Sequence, residues 1–353
     1  MSSVADTFLT GVIEGFYGRG WSYNARQAYA EYLATAGLNT CLYCPKEDPY
    51  LRKQWHQHWP AGEWQHLLDI SATYRRQGLY WGVGLSPFAL YRNYGASQRA
   101  QLRDKLARLA ELDAPVLAVL FDDMPGEMAA LASRQAEIIS DVVNWMPAVR
   151  VMVCPTYYSF DPVLETHFGR MPANYWPQLG RELPAEVDVF WTGNQVCSAA
   201  IRVPDVSAIN EQLGRRVILW DNYPVNDGAV RSNFLYCTPL SQRDPGLRTL
   251  LRGHLCNPMN QALLSLPALA GLASLYHEGV EEPEWLERML GILTWQQLRS
   301  DRADFAQLGL SGMGDERRKQ LAAVYDALPG AAAQEVAGWL RGEYTFDPAC
   351  LTG

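Results

Sequence analysis

Two aspartates side by side, Asp122 and Asp123, close the apolar run Val116-Leu117-Ala118-Val119-Leu120-Phe121. Such a run reads as a strand buried on both faces, as in a parallel sheet. Its carboxyl end is where α/β proteins gather their catalytic groups. Two adjacent carboxylates repel each other, so unless a metal or a cationic substrate intervenes, one should hold its proton more tightly than a free aspartate. A protonated carboxyl beside an ionised one is equipped for acid/base work on an acid-labile bond.

Other apolar runs end on groups that bind rather than pack. In chain order they close on Glu14-Gly15-Phe16-Tyr17-Gly18-Arg19, Pro45-Lys46-Glu47-Asp48, Ser86-Pro87-Phe88, Asp122-Asp123, Cys154-Pro155-Thr156-Tyr157-Tyr158, Trp191-Thr192-Gly193, Trp220-Asp221-Asn222-Tyr223-Pro224-Val225-Asn226-Asp227 and Cys256-Asn257-Pro258. Lys, Asn, Asp and Tyr with flanking Trp suit a neutral, hydroxylated ligand, which needs donors, acceptors and apolar walls together. A sugar answers that description. Taken singly, each residue has an ordinary reading: Lys46 a solvated loop lysine, Asn257 and Asp227 turn residues, Tyr158 and Trp220 core aromatics. Their shared place at strand ends is what turns the set towards function.

The elements that must position these groups alternate. Strands are expected near 10–15, 38–44, 79–86, 115–121, 149–155, 187–192, 216–221 and 252–256. Amphipathic helices are expected at 63–77, 98–112, 127–145 and 261–276, with a weaker one over 207–213 entered from Asp205 and ended by Gly214. Eight strands separated by helices predict an α/β protein, a closed (β/α)8 TIM barrel over residues 1–279. A doubly wound open sheet is the runner-up, but polar groups after nearly every strand suit a ring better, and no GxGxxG or phosphate loop appears. Beyond residue 279 the pattern is helical only, at 284–299, 302–308, 315–328 and 331–341. This predicts a C-terminal helical extension over residues 280–353 that carries no nameable chemistry.

Composition narrows the partners. The chain has 353 residues, 48% hydrophobic and 19% charged, which is ample for a large core. A net charge of −8 without a Lys/Arg cluster argues against nucleic acid. No run reaches membrane-spanning length and no secretory leader is visible. The seven cysteines sit mostly in apolar stretches, as Cys41, Cys44, Cys154 and Cys256 do, and point to a cytoplasmic setting. Cys41-Leu-Tyr-Cys44 lies in a strand pattern, so its two thiols face opposite sides, and no second pair stands at zinc spacing. No metal and no cofactor are called for. Oligomeric state is left open. The chain reaches its first strand within a few residues, so no accessory module is expected before it.

Seven segments in order then carry a resemblance: Gly-Val-Ile-Glu-Gly-Phe-Tyr-Gly-Arg (11–19), Gly-Leu-Asn-Thr-Cys-Leu-Tyr-Cys-Pro-Lys (37–46), Phe-Asp-Asp (121–123), Cys-Pro-Thr-Tyr-Tyr (154–158), Trp-Thr-Gly (191–193), Trp-Asp-Asn-Tyr-Pro-Val-Asn-Asp (220–227) and Asn-Pro (257–258). Together they resemble glycoside hydrolase family 84, the β-N-acetylglucosaminidases that include O-GlcNAcases. The resemblance implies a (β/α)8 catalytic domain. It also implies retaining, substrate-assisted hydrolysis, in which the substrate's 2-acetamido oxygen attacks the anomeric carbon and forms an oxazoline. Carried over residue by residue, Asp122 orients the acetamido group and stays ionised, and Asp123 is the general acid and then base. Tyr158 bonds the acetamido oxygen, and Asn222 fixes the acetamido group and the Asp pair. Gly15 and Lys46 hold the O3 side, Asp227 and Asn257 bind the O4/O6 side, Trp220 walls the acetamido pocket, and Tyr17 lies near the sugar. The expected substrates are GlcNAc-terminated glycans or glycopeptides, O-GlcNAc on protein Ser/Thr among them. The chain departs from the family pattern at Gly20, Glu47 and Phe88, the last of which is placed to narrow the cleft.

Two readings compete. A divalent metal on Asp122 and Asp123 would make a metal-dependent barrel hydrolase. A glycan-binding protein without turnover is the other, though a binder has no need of a proton donor.

Overall fold

The computed structural model describes residues 4–277, 282–344 and 346–352. Eight parallel strands close into one barrel, each paired with its sequence neighbours and the last with the first. They are β1 (Leu9–Glu14), β2 (Thr40–Tyr43), β3 (Tyr80–Leu85), β4 (Val116–Leu120), β5 (Arg150–Cys154), β6 (Asp188–Trp191), β7 (Val217–Asp221) and β8 (Leu251–Cys256). Closure is direct: Leu9 pairs with Gly253 and Val12 with Cys256. The open-sheet alternative is thereby excluded. Nearly every strand residue is buried, as expected for strands covered by side chains inside and helices outside.

The helices are α1 (Tyr23–Thr35), α2 (Ala61–Arg76), α3 (Ala96–Ala110), α4 (Leu131–Trp145), α5 (Val163–Phe168), α6 (Tyr175–Glu182), α7 (Val203–Leu213) and α8 (Leu266–Tyr276) around the barrel. After them come α9 (Glu284–Leu290), α10 (Ile292–Gln307), α11 (Gly309–Asp326) and α12 (Ala331–Leu340). The pattern reading passed over α1, whose buried side is Tyr29, Ala30 and Leu33 rather than a leucine stripe; Ser22 caps it by accepting from the Ala25 N–H at 3.2 Å.

Several helix starts differ from the sequence expectation for identifiable reasons. Helix α4 begins at Leu131, not 127, because the Gly126 N–H is bonded to the Phe168 carbonyl at 2.6 Å and holds the chain off the helical path. Helix α7 begins two residues before Asp205. That carboxylate instead reaches back to the Arg202 N–H at 2.7 Å from the third helical position, as in a capping box. Helix α8 begins at Leu266, because the Glu335 carboxylate on α12 takes the Leu263 and Leu264 N–H groups at 3.2 and 3.1 Å and keeps that stretch in a tight turn.

In the extension, the expected helix over 284–299 is cut at Gly291, whose φ of 84° suits glycine alone, and α10 then runs through the break expected near 300. The boundary expected at 279/280 lies outside the described residues. The extension packs on the loops after β7 and β8. The Trp339 Nε1–H donates to the Ser232 carbonyl at 3.3 Å, the Leu235 N–H to the Phe305 carbonyl at 3.2 Å, and Phe305 meets Trp339 edge-on at 5.1 Å.

Candidate active site

At the carboxyl end of the barrel, one pocket gathers residues from the ends of β1, β2, β4, β5, β6, β7 and β8. All ten residues singled out in the sequence line it: Gly15, Tyr17, Lys46, Asp122, Asp123, Tyr158, Trp220, Asn222, Asp227 and Asn257.

Successive side chains of a strand point to opposite faces, so an Asp pair continuing β4 would be split. The chain avoids this at Asp123, which takes a left-handed conformation (φ 55°) that aspartate tolerates better than most residues. Both carboxylates therefore line one pocket.

Lys46 lies between them. Its ammonium pairs with Asp122 Oδ2 and stands 3.9 Å from Asp123 Oδ2, with only 2% of its side chain exposed. Burial opposes its charge, but Asp122 and then Asp123 outweigh burial and raise the lysine pKa. A cation between the two carboxylates is thus supplied by the chain itself. Lys46 is neither a solvated loop lysine nor confined to a hydroxyl-binding rim. Among the described residues, no three His, Cys, Asp or Glu side chains gather into a group able to hold a metal ion.

Both oxygens of Asp123 accept phenolic hydrogen bonds, from Tyr17 at 2.7 Å and Tyr158 at 3.1 Å. Arg52 donates from Nη2 to the Asp123 carbonyl at 3.1 Å and from Nη1 to Ser86 Oγ at 3.1 Å, which ties the loop after β2 to the ends of β3 and β4. Its guanidinium also lies over the Phe88 ring, 5.4 Å from the centroid. Sequence reading missed Arg52, because within Leu51-Arg52-Lys53 nothing separates it from a solvated basic pair. Asp122 is different: its Oδ1 is buried with no hydrogen-bond partner in the structure. A buried acceptor left open at a pocket wall is one that a ligand N–H can satisfy.

The far wall is a chain of amides. The Gly15 N–H donates to Asn257 Oδ1 at 3.2 Å, Asn257 Nδ2 to Asn222 Oδ1 at 3.0 Å, and Trp220 Nε1 to the same oxygen at 3.0 Å. Asn222 Nδ2 donates to the Val196 carbonyl at 2.8 Å. Asn222 therefore fixes Trp220 and Asn257, while the Asp pair is held by Lys46, Tyr17, Tyr158 and Arg52. Gly15 is required by contact rather than by φ: a Cβ there would stand 2.3 Å from the Trp220 ring. Asp227 accepts the Tyr17 N–H at 2.7 Å, and burial pushes its carboxyl up to about 6. Beneath Asn222, Arg243 clasps the buried Asp221 through two bonds of 2.7 Å with His254 at 2.9 Å. Arg243 and His254 outweigh burial and lower the Asp221 carboxyl to about 2.

A sequence profile of the β-N-acetylglucosaminidase family matches residues 10–288. The chain belongs to that family. The protein O-GlcNAcases of Mus musculus and Rattus norvegicus are each 28% identical to it over 281 residues, a match covering 77% of this chain and 30% of each relative. The chain thus spans under a third of the length of those relatives. Among solved structures, an Asp-to-Asn mutant of the Thermobaculum terrenum O-GlcNAc hydrolase is similar with a TM-score of 0.77 at 25% identity, covering 95% of this chain and 81% of that one. The β-N-acetylglucosaminidase match runs from β1 into α9, and so takes in every strand and every candidate site residue.

Proposed function

We propose that the protein is an exo-acting, retaining β-N-acetylglucosaminidase working by substrate assistance, and that it removes terminal GlcNAc, including O-linked GlcNAc on protein Ser/Thr. The observation that carries this reading is the open, buried Oδ1 of Asp122 beside an Asp123 already served by two phenols. An acetamido N–H fits that oxygen. As the acetamido oxygen attacks the anomeric carbon, positive charge grows on the nitrogen, and the Asp122 carboxylate, held in place by Lys46, opposes it where it forms. Asp123 protonates the leaving oxygen and then takes the proton from the water that opens the oxazoline.

In the bound state Tyr158 turns its hydroxyl to the acetamido oxygen, and Trp220 walls that group. Tyr17 lies beside the sugar. The Gly15 carbonyl and Lys46 hold the O3 side, while Asp227 and Asn257 take the O4/O6 side. Asn222 keeps the Trp220 wall and Asn257 in register. Adjacent carboxylates on one strand end are poorly placed to flank a scissile bond about 5 Å apart, as a protein nucleophile and its acid partner do. The nucleophile is accordingly assigned to the substrate.

Residues 1–279 are proposed as the catalytic unit and 280–353 as an extension docked on it. No described helix is long and apolar enough to cross a membrane. A cytoplasmic setting belongs to the same proposal, supported by thiols buried at Cys41, Cys44, Cys154, Cys237 and Cys256.

The test is inhibition by a thiazoline mimic of the oxazoline, with product anomer followed by NMR during hydrolysis of an aryl β-GlcNAc. Tight inhibition with retained configuration is expected. Binding no tighter than free GlcNAc, or inversion, overturns substrate assistance. Activity unchanged by a chelator is expected, and its loss would restore the metal-dependent reading.

A further inference from the structure

We propose that residues 346–352 form part of the sugar pocket, with Thr352 positioning Tyr158 and Cys350 forming wall. This inference rests on the glycosidase reading above and assigns work to the extension, for which the sequence offered none.

Cys350 and Thr352 line the same pocket as Asp122, Asp123, Tyr158 and Asn222. Leu351 between them points away and is half exposed. That alternation is the signature of an extended segment laid against a surface with one face in contact. In that pocket Thr352 stands with Tyr158, whose hydroxyl donates to Asp123 Oδ1 at 3.1 Å, so this segment reaches the phenol that serves the proposed general acid. A phenol has one proton to give. With that proton on Asp123 in the empty site, or on an acetamido oxygen in the bound one, a donor is still needed to hold the phenol oxygen in place. Thr352 supplies it.

The segment is prepared locally. The Asp347 side chain accepts the Ala349 N–H at 2.9 Å, and its carbonyl accepts the Cys350 N–H at 2.9 Å, a turn stiffened by Pro348. Just upstream, the guanidinium of Arg19 lies 5.1 Å from the Tyr344 ring centroid, which joins the approach to the β1 loop that carries Tyr17. Phe346 and Leu351 are exposed, so the segment adds little to the core, and a chain lacking it is expected to fold.

The test compares Thr352→Val, Thr352→Ser and deletion of 346–352 on aryl and alkyl β-GlcNAc substrates. Alongside it, alkylation of Cys350 in the unaltered chain is followed by peptide mass spectrometry with and without the thiazoline. Thr352→Val should lower kcat/KM about tenfold, the effect of one lost hydrogen bond at a reacting site. Thr352→Ser should restore most of it, the deletion should cost more than Thr352→Val, and the inhibitor should slow alkylation. A deletion variant as active as the parent or more so, or alkylation indifferent to the inhibitor, overturns the inference. If the parent chain hydrolyses no β-GlcNAc at all, the glycosidase reading itself fails. Activity in the parent with unaffected variants refutes only the role of the segment.

Discussion

Replacing Asp123 with Asn separates its proposed chemistry from its structural role. The change keeps shape and removes one charge and one proton-transfer group. Lys46 retains its partner Asp122, so the buried ammonium is not stranded. What it loses is the second carboxylate at 3.9 Å, worth about 4 kcal/mol by Coulomb's law at an effective dielectric near 20, and largely offset by relief of the Asp122–Asp123 repulsion. One phenol still finds the amide oxygen and the other meets the amide nitrogen. The variant should therefore fold, with a melting temperature within a few degrees of the parent. Its defect should be in kcat. A general acid contributes roughly 10²–10⁴-fold, or about 3–5 kcal/mol of barrier, when the leaving group needs protonation. Against an alkyl or serine glycoside the full loss is expected, and against a nitrophenyl glycoside, whose oxygen departs unaided, roughly tenfold or less. The assay is kcat and KM for the two substrates. Asp122→Asn should instead lower both by similar factors, on the order of 10²–10³, because charge on the acetamido nitrogen develops whatever the aglycone. Equal losses from Asp123→Asn on both substrates would refute the assignment, and a loss confined to KM would assign Asp123 to binding alone.

Asp227, pushed up to about 6, should impose an acid limb: kcat/KM should fall below about pH 6 as its carboxylate loses the capacity to accept two hydroxyls, and Asp227→Asn should flatten that limb in a pH–rate profile. Arg52→Met should lower kcat on alkyl substrates about tenfold with little change in KM, since it frees the Asp123 carbonyl without touching the sugar; Arg52→Lys should recover part of the loss, and an unchanged kcat would show that the loop holds Asp123 unaided. Glu335, half-buried and raised to about 7, binds its proton more tightly folded than unfolded, so stability should fall as pH rises from about 4.5 to 7, by about 3 kcal/mol. Glu335→Gln should flatten that slope in urea melts at stepped pH, and an unchanged slope would place the titration elsewhere. Asp221, lowered to about 2 by Arg243 and His254, has the opposite sign: its stabilisation of about 2 kcal/mol is present above about pH 4 and lost as pH falls through 2, so Asp221→Asn should lower the melting temperature at pH 7 far more than at pH 2.

Much of this was legible in one dimension. Eight apolar runs, each closing on polar residues, announce strands whose period and burial do not depend on distant partners, and their count with intervening helices leaves few topologies. The order of the short motifs pointed to the family, and the profile match over 10–288 agrees with it. The ten site residues stood at strand ends, and a parallel barrel collects strand ends at one face whatever the details of packing. Helix starts were less legible, because Leu131 and Leu266 begin helices only where Phe168 and Glu335, distant in sequence, stop competing for the preceding N–H groups.

Three features belonged to tertiary structure alone. The left-handed turn at Asp123 brings both carboxylates to one pocket, where a continuing strand would have parted them. Lys46 and Arg52 become the cations of the Asp pair because the loop after β2 folds over the end of β4, a contact across some seventy residues that no local pattern encodes. Asp122 Oδ1 is open because Lys46 pairs with Oδ2 while the Tyr17 and Tyr158 hydroxyls are given to Asp123, and that is a property of the completed packing. The sequence by itself determined which residues meet at the barrel mouth, since strand order and strand ends follow from local patterning. Which atoms remain unsatisfied there to receive a ligand was decided only when long-range hydrogen bonds had been assigned.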